Sequence, residues 1–332
     1  MSYDEKNYEK GITRVITGES TYIYYYIDTQ QPVSAKDLDR IHHLHIPPAW
    51  TDVWISRDPQ SSIQAIGKDS KGRKQYRYHH VHIVKAEKEK FTRLYAFIKK
   101  IPTLIKQLEA DNQAPIYSKQ RVISLMLQIV KDHHLRVGKE IYAKTNRSYG
   151  ISSLRKKHVT IDSAAIKLKF KGKSKQRLHY TIRNPFYVNS IKLLMKLDGD
   201  NLFQYIDEDE TVHKITDTDL NTYIRNHMGK QFSIKDFRTY GANLHFIKSL
   251  LNETQKRTPK DRKTIKKNLV NALKTTATQL KHTGAVSKKS YVMNFAIELY
   301  QNSPETFIKN KNMDPTKFLL GLLQMYKKHI LE

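Results

Sequence analysis

The sequence predicts an α+β protein, a small antiparallel β-rich N-terminal domain followed by a mainly α domain with a small inserted sheet. Three observations predict it. Up to about Val84, short runs rich in β-branched and aromatic residues alternate with turn residues, as in antiparallel strands. From Phe91 onward, apolar residues recur at helical spacing. Charge is also unevenly divided: residues 1–83 hold 11 Lys/Arg against 10 Asp/Glu, and residues 84–332 hold 48 against 22. Both tryptophans, Trp50 and Trp54, and eight of the 20 tyrosines fall in the first segment. A boundary near residue 85 is expected, giving domains over 1–85 and 86–332.

Ile12–Thr17 and Thr21–Asp28 read as strands joined by the turn Gly18-Glu19-Ser20. Ser34 begins a short capped helix that Pro47-Pro48 stops. Asp52–Ser56, Ile63–Gly67 and Lys74–Val84 read as further strands, and Ala86–Lys90 as a charged connector. Phe91–Asp111, with a break or kink at Pro102, and Lys119–Leu135 read as amphipathic helices. His158–Asp162, Ala165–Phe170 and Gln176–Ile182 alternate like strands, the last two joined by the basic turn 171–175. Helices are then expected over 186–197, 217–228, 233–254, 261–281, 288–301 and 315–330.

A formal charge of +27 and a pI near 9.8 imply a polyanionic partner, most simply nucleic acid. The absence of Cys excludes disulfides, thiolate ligands and a thiol nucleophile. Met1–Lys6 lacks a basic-then-apolar leader, and no apolar run approaches the ~18 residues of a membrane span. A soluble intracellular protein is expected.

The chemistry centres on Lys281-His282-Thr283-Gly284-Ala285-Val286-Ser287-Lys288-Lys289-Ser290-Tyr291, where Ser287 reads as an N-cap that places Tyr291 in the first turns of a helix. Cutting a phosphodiester with a phenol of pKa ~10 needs cations on the non-bridging oxygens and a proton donor at the leaving oxygen. Arg suits the first task through its planar, permanently charged fork. Lys suits the second when neighbouring cations lower its pKa. The chain offers Arg136 at the end of a helix, Lys173 at a basic turn, Arg238 inside a helix capped by Ser233, then His282 and Tyr291. Each has a plainer reading: Arg136 as a helix-end charge, Arg238 as an ion-pair partner of Asp236, Lys173 as a solvated turn lysine.

These positions and their contexts resemble the small, poxvirus-type DNA topoisomerase IB family of large DNA viruses and some bacteria. The matching motifs are Leu135-Arg136-Val137-Gly138-Lys139 with Tyr142 and Tyr149–Leu154, Phe170-Lys171-Gly172-Lys173, Lys235-Asp236-Phe237-Arg238-Thr239-Tyr240-Gly241, and Lys281-His282-Thr283 with Ser287–Tyr291. Ile46–Val53 and Gly67 with Gly72–Tyr76 match in the first module, so the likeness covers nearly the whole chain. The resemblance implies a tyrosine recombinase/topoisomerase IB-like fold and a bipartite clamp around duplex DNA. It implies that Tyr291 forms a 3′-phosphotyrosyl link, that Arg136, Arg238 and His282 stabilise the phosphorane, and that Lys173 is the general acid, with Arg136 assisting. It further implies DNA contacts from Gln75, Tyr76, Tyr78, Lys139 and Tyr142, and from the accessory positions near the site, Lys235 and Asn243. No ATP, essential divalent cation or metal site is expected, and the enzyme is expected to act as a monomer where DNA is, in a virion or an infected cell's cytoplasm. A CCCTT-like cleavage site is an expectation of the same kind. One departure is Gly284, where poxvirus members carry Pro, which bears on preorganisation rather than chemistry.

Two rival readings remain at this level. A tyrosine recombinase or integrase shares the nucleophile, but usually places a His three residues before the second Arg, where this chain has Lys235. A non-catalytic DNA-binding protein has no need of all five reacting groups. Gly172-Lys173-Ser174 looks like the end of a P-loop, yet Lys167 stands where its first Gly belongs. His42-His43-Leu44-His45 lacks acidic or Cys partners at metal-ligand spacing.

Overall fold

A computed structural model describes residues 8–18, 21–162 and 164–329, and the chain divides into two compact units, Met1–Lys90 and Phe91–Glu332. The expected turn residues Glu19 and Ser20, and the N-terminal Met1–Lys6, lie outside the described residues.

The first unit is a five-stranded antiparallel sheet of β1 (Ile12–Ile16), β2 (Tyr22–Tyr26), β3 (Thr51–Ile55), β4 (Ile63–Lys68) and β5 (Lys74–Tyr78), in the order β2-β1-β3-β4-β5. One helix, α1 (Ala35–His43), is capped as expected: Ser34 Oγ accepts the Asp37 N–H at 3.2 Å. Its Ile41 joins Ile12, Tyr24, Trp50, Val53, Ile55 and Ala65 in the core. Gly67 is required by close approach, since a Cβ there would lie 2.7 Å from the Trp50 ring.

The strand expected over 74–84 is a correction. It ends at Tyr78, and His80 opens a 32-residue helix, α2 (His80–Asp111), which absorbs the expected connector and runs through Pro102. The alternation that suggested a strand marks no buried face, because Val81, Ile83 and Val84 are all exposed. The run Lys85–Lys90 is instead built of good helix formers.

The second unit continues with α3 (Lys119–His133), α4 (Glu140–Asn146), the antiparallel sheet β6 (Val159–Ile161), β7 (Ile166–Lys171) and β8 (Arg177–Ile182), and α5 (Pro185–Leu194). A hairpin of β9 (Gln204–Ile206) and β10 (Val212–Lys214) precedes α6 (Asp217–Met228), α7 (Ile234–Lys256) and α8 (Arg262–Gln279). Last come α9 (Gly284–Ser290), α10 (Asn294–Asn302), α11 (Glu305–Lys309) and α12 (Pro315–His329). Neither α4 nor the β9–β10 hairpin is announced by periodicity. Ala143 is the one buried residue of α4, and three-residue strands are too short to alternate.

Helix α7 organises this unit. Its Ile234 and Phe237 join one apolar cluster with α2, α3, α5, α6, β7 and β8. Its Phe246, Ile247, Leu250 and Leu251 join a second with α8, α10 and α12. Each such burial stabilises by about 1.5–3 kcal/mol, so the helix carrying Arg238 is anchored on both sides of that residue.

Candidate active site

Strand β7 alternates strictly, with Ile166, Leu168 and Phe170 buried and Lys167, Lys169 and Lys171 exposed. Its hairpin to β8 therefore delivers Lys173 to the surface, at a tight turn in which Ser174 and Lys175 take positive φ of 61° and 59°. Gly172 fits because a Cβ there would stand 2.4 Å from Leu178 Cδ1.

Arg136 is not helical, contrary to expectation. Helix α3 ends at His133, and Arg136 lies in the following non-helical segment. That segment is held by the short 3-10 turn Ile151–Ser153: Ile151 N–H donates to the Arg136 carbonyl at 2.9 Å and Ser152 N–H to the Val137 carbonyl at 2.8 Å. The two stretches cross at Gly138 and Gly150, where a Cβ on Gly138 would meet the Gly150 nitrogen at 2.3 Å. Tyr149 N–H donates to the Lys171 carbonyl at 2.7 Å, so the same stretch ties the Arg136 segment to the Lys173 hairpin.

Arg238 is 3% exposed, yet it does not pair with Asp236. Asp236 accepts the Ser233 N–H at the start of α7, at 2.9 Å, and binds Arg93 Nε at 3.1 Å. The Arg238 guanidinium instead donates to main-chain carbonyls, Nη1 to His134 and Nη2 to Leu280 at 2.9 Å. Among the described residues no carboxylate accepts from it, which leaves its charge available for an anion. Burial and the Arg136 charge both push its pKa below the ordinary arginine value.

Tyr291 sits differently from its expected place. Thr283, not Ser287, caps α9, its Oγ1 accepting the Val286 N–H at 3.3 Å, and Tyr291 ends that helix as its C-cap. The departure at Gly284 falls on the first residue of α9, where a Cβ would meet nothing within 4 Å. Ser287 is fully buried: its Oγ lies 2.8 Å from His282 Nε2, and its carbonyl accepts the N–H groups of Tyr291 at 3.1 Å and Val292 at 2.9 Å. One serine thereby orders both the imidazole and the backbone of the phenol, a role its sequence context did not reveal.

Asn243 is 1% exposed, and its amide is spent internally. It donates to the Thr239 carbonyl at 2.8 Å and the Tyr291 carbonyl at 3.0 Å, and accepts the Met293 N–H at 2.9 Å. This places it at the site, holding the Tyr291 backbone, rather than on an exposed DNA-facing surface.

The five residues expected to form the site come together around Tyr291. The Arg238 guanidinium carbon is 5.5 Å from the Tyr291 ring centroid, and the His282 ring centroid is 5.2 Å from it. Burial raises the Tyr291 pKa, but the opposing charges of Arg238, Arg136 and Lys173 leave it below the ordinary phenol value. Burial, then the charges of Arg238 and Arg136, lower the His282 pKa to about 4, so the imidazole is neutral near pH 7. Its Nδ1 and the Arg238 Nε are buried with no partner among the described residues.

Among the other expected residues, Lys235 is exposed on the first turn of α7, while Lys139 begins α4 and Tyr142 is 53% exposed on it. In the first unit, Tyr76 and Tyr78 project from one face of β5 with rings stacked at 5.9 Å, and Gln75 Nε2 donates to Asp69 at 3.0 Å. Among the described residues no group of three or more His, Asp or Glu side chains is placed to hold a metal ion. No described helix is long and apolar enough to cross a membrane.

Comparison with known proteins agrees with this geometry. Residues 70–313 match the family model of the eukaryotic DNA topoisomerase I catalytic core, and residues 21–69 that of the bacterial DNA topoisomerase IB N-terminal domain. The chain is 64% identical to DNA topoisomerase 1B of Acanthamoeba polyphaga mimivirus, over all of this chain and 99% of that one. It is 28% identical to DNA topoisomerase 1B of Vaccinia virus (strain Copenhagen), covering 79% and 81% of the two chains. It is 25% identical to DNA topoisomerase 1 of Rabbit fibroma virus, covering 80% and 82%. With its phenol set among cations and a catalytic-core match spanning most of its length, the chain belongs to the type IB DNA topoisomerase family.

Proposed function

We propose that this topoisomerase relaxes supercoiled duplex DNA by cutting one strand with Tyr291, letting the free end rotate, and resealing. The Tyr291 oxygen attacks the scissile phosphorus while the bond from phosphorus to the 5′ oxygen breaks, leaving a 3′-phosphotyrosyl link. Lys173 gives a proton to the departing 5′ oxygen, with Arg136 assisting. Arg136, Arg238 and His282 hold the non-bridging oxygens as charge accumulates there. Resealing is the reverse: the 5′ hydroxyl attacks, its proton returns to Lys173, and Tyr291 leaves as the phenolate, the form in which it attacked after losing its proton to solvent. The phosphotyrosyl bond conserves the energy of the broken one, so neither ATP nor a divalent cation is required.

The observation that carries this reading is the lowered Tyr291 phenol, 5.5 Å from a guanidinium that no carboxylate neutralises. In the second unit Lys139, Tyr142 and Lys235 offer exposed phosphate or base contacts, and in the first unit the stacked Tyr76–Tyr78 pair with Gln75 offers a further surface. The second unit, with its large positive excess, supplies most of the electrostatic affinity. The enzyme acts as a monomer inside the cell or virion that holds its DNA.

Plasmid relaxation in EDTA without nucleotide tests it. Full relaxation is expected; complete inactivity there, restored by a divalent cation or ATP, would overturn the metal-free route. Exchange of strands between partner duplexes would instead favour a recombinase.

A further inference from the structure

Two histidines outside the reacting set meet behind the guanidinium-holding backbone. His134 ends α3 in the left-handed region, with φ 53° and ψ 35°, a conformation unfavourable for a residue with a Cβ. Its N–H is bonded to the Val130 carbonyl at 2.8 Å, and its own carbonyl accepts Arg238 Nη1. Its ring is buried, 8% exposed, with Nε2 2.8 Å from His245 Nε2.

His245 lies on α7 seven residues after Arg238, two turns along the same face. Gly241, between them, leaves room for the His134 ring, which a Cβ there would approach to 2.4 Å. Two residues beyond His134 the chain reaches Arg136. One residue thus supports Arg238 through its carbonyl and begins the segment that carries Arg136.

The tautomers follow from satisfaction of polar atoms. His134 Nδ1 is buried without a partner, and a proton there would be an orphan donor. His134 therefore donates from Nε2, and His245 must present a lone pair. Arg238, His133 and Asp132 face His134, and Lys248 faces His245; burial comes first in lowering both pKa values, that of His134 to about 3.

We propose, taking Arg238 as a group that grips the scissile phosphate, that the His134–His245 hydrogen bond is a positioning device that fixes the His134 carbonyl beneath Arg238 and the register of the Arg136 segment. A lost anchor lets a guanidinium drift, and a displacement of about 1 Å can cost about a hundredfold in rate.

The test is single-turnover formation of covalent adduct by the full chain, on a duplex whose cleavage site has been mapped from a plasmid with the wild-type protein. His245→Phe keeps a ring but offers no lone pair, and is expected to slow adduct formation about ten- to hundredfold with duplex affinity unchanged. His245→Gln, whose amide oxygen can accept where Nε2 did, is expected to restore the rate. In an Arg238→Ala background, His245→Phe is expected to have no further effect, since both act through one guanidinium. A wild-type rate for His245→Phe, or an equal loss on top of Arg238→Ala, would overturn the proposal. A wild-type rate for Arg238→Ala alone would instead remove Arg238 from the phosphate. If His245→Phe does not fold, His245→Asn, one methylene too short, replaces it against His245→Gln, and equal rates for those two would overturn the device.

Discussion

The guanidinium carbon of Arg238 lies 5.5 Å from the centre of the Tyr291 ring, and two main-chain carbonyls rather than an acid hold that guanidinium in place. Arg238 therefore acts on the phenol before any substrate phosphate arrives. Burial alone would raise the Tyr291 pKa, and the cations around it reverse that. Arg238→Ala removes the largest opposing charge, so the phenolate forms at higher pH. The alkaline rise of the cleavage rate is expected to move to higher pH in this variant. An unmoved profile, measured by single-turnover cleavage across pH, would separate Arg238 from the nucleophile.

Asn243→Ala strips the Tyr291 carbonyl and the Met293 N–H of a buried partner. Each unsatisfied group costs about 1–3 kcal/mol, and the loss should appear as a lower midpoint in denaturant. Cleavage should slow more than DNA affinity weakens, because the residue holds the nucleophile's backbone and not the duplex. An equal loss in both would return Asn243 to a DNA-contact role.

Lys173→Ala is expected to slow cleavage by about 10²–10⁴-fold, the usual worth of a positioned proton donor. A substrate whose leaving group is a 5′ thiolate needs no such proton, and on it most of the rate should return. A deficit that persists on the sulfur substrate would remove Lys173 from the acid role.

The strands and helices of the second unit were readable because their buried faces follow simple periods, period two in β7 and helical spacing in α7. The five residues expected to react could be picked out because each sits in a local motif. Their environments were not. Ser287 looks like a cap and is instead the buried partner of His282, since Thr283 starts α9 one turn earlier. Asn243 reads as an accessory position near the site, but only the fold shows its amide spent on the loop after α9. The strand expected to reach Val84 failed because its Val and Ile side chains are exposed, and alternation without burial selects no sheet face. His134 and His245 are separated by 111 residues, and only the packing of α3 on α7 brings them together.

The most direct measurement is to trap the protein on cleaved DNA with denaturant and identify the linked residue by peptide mass spectrometry, with Tyr291→Phe alongside. A single phosphotyrosyl bond from Tyr291 to a 3′ end is expected, with the variant binding duplex yet forming no adduct. A covalent link through another side chain, or adduct persisting in Tyr291→Phe, would contradict it.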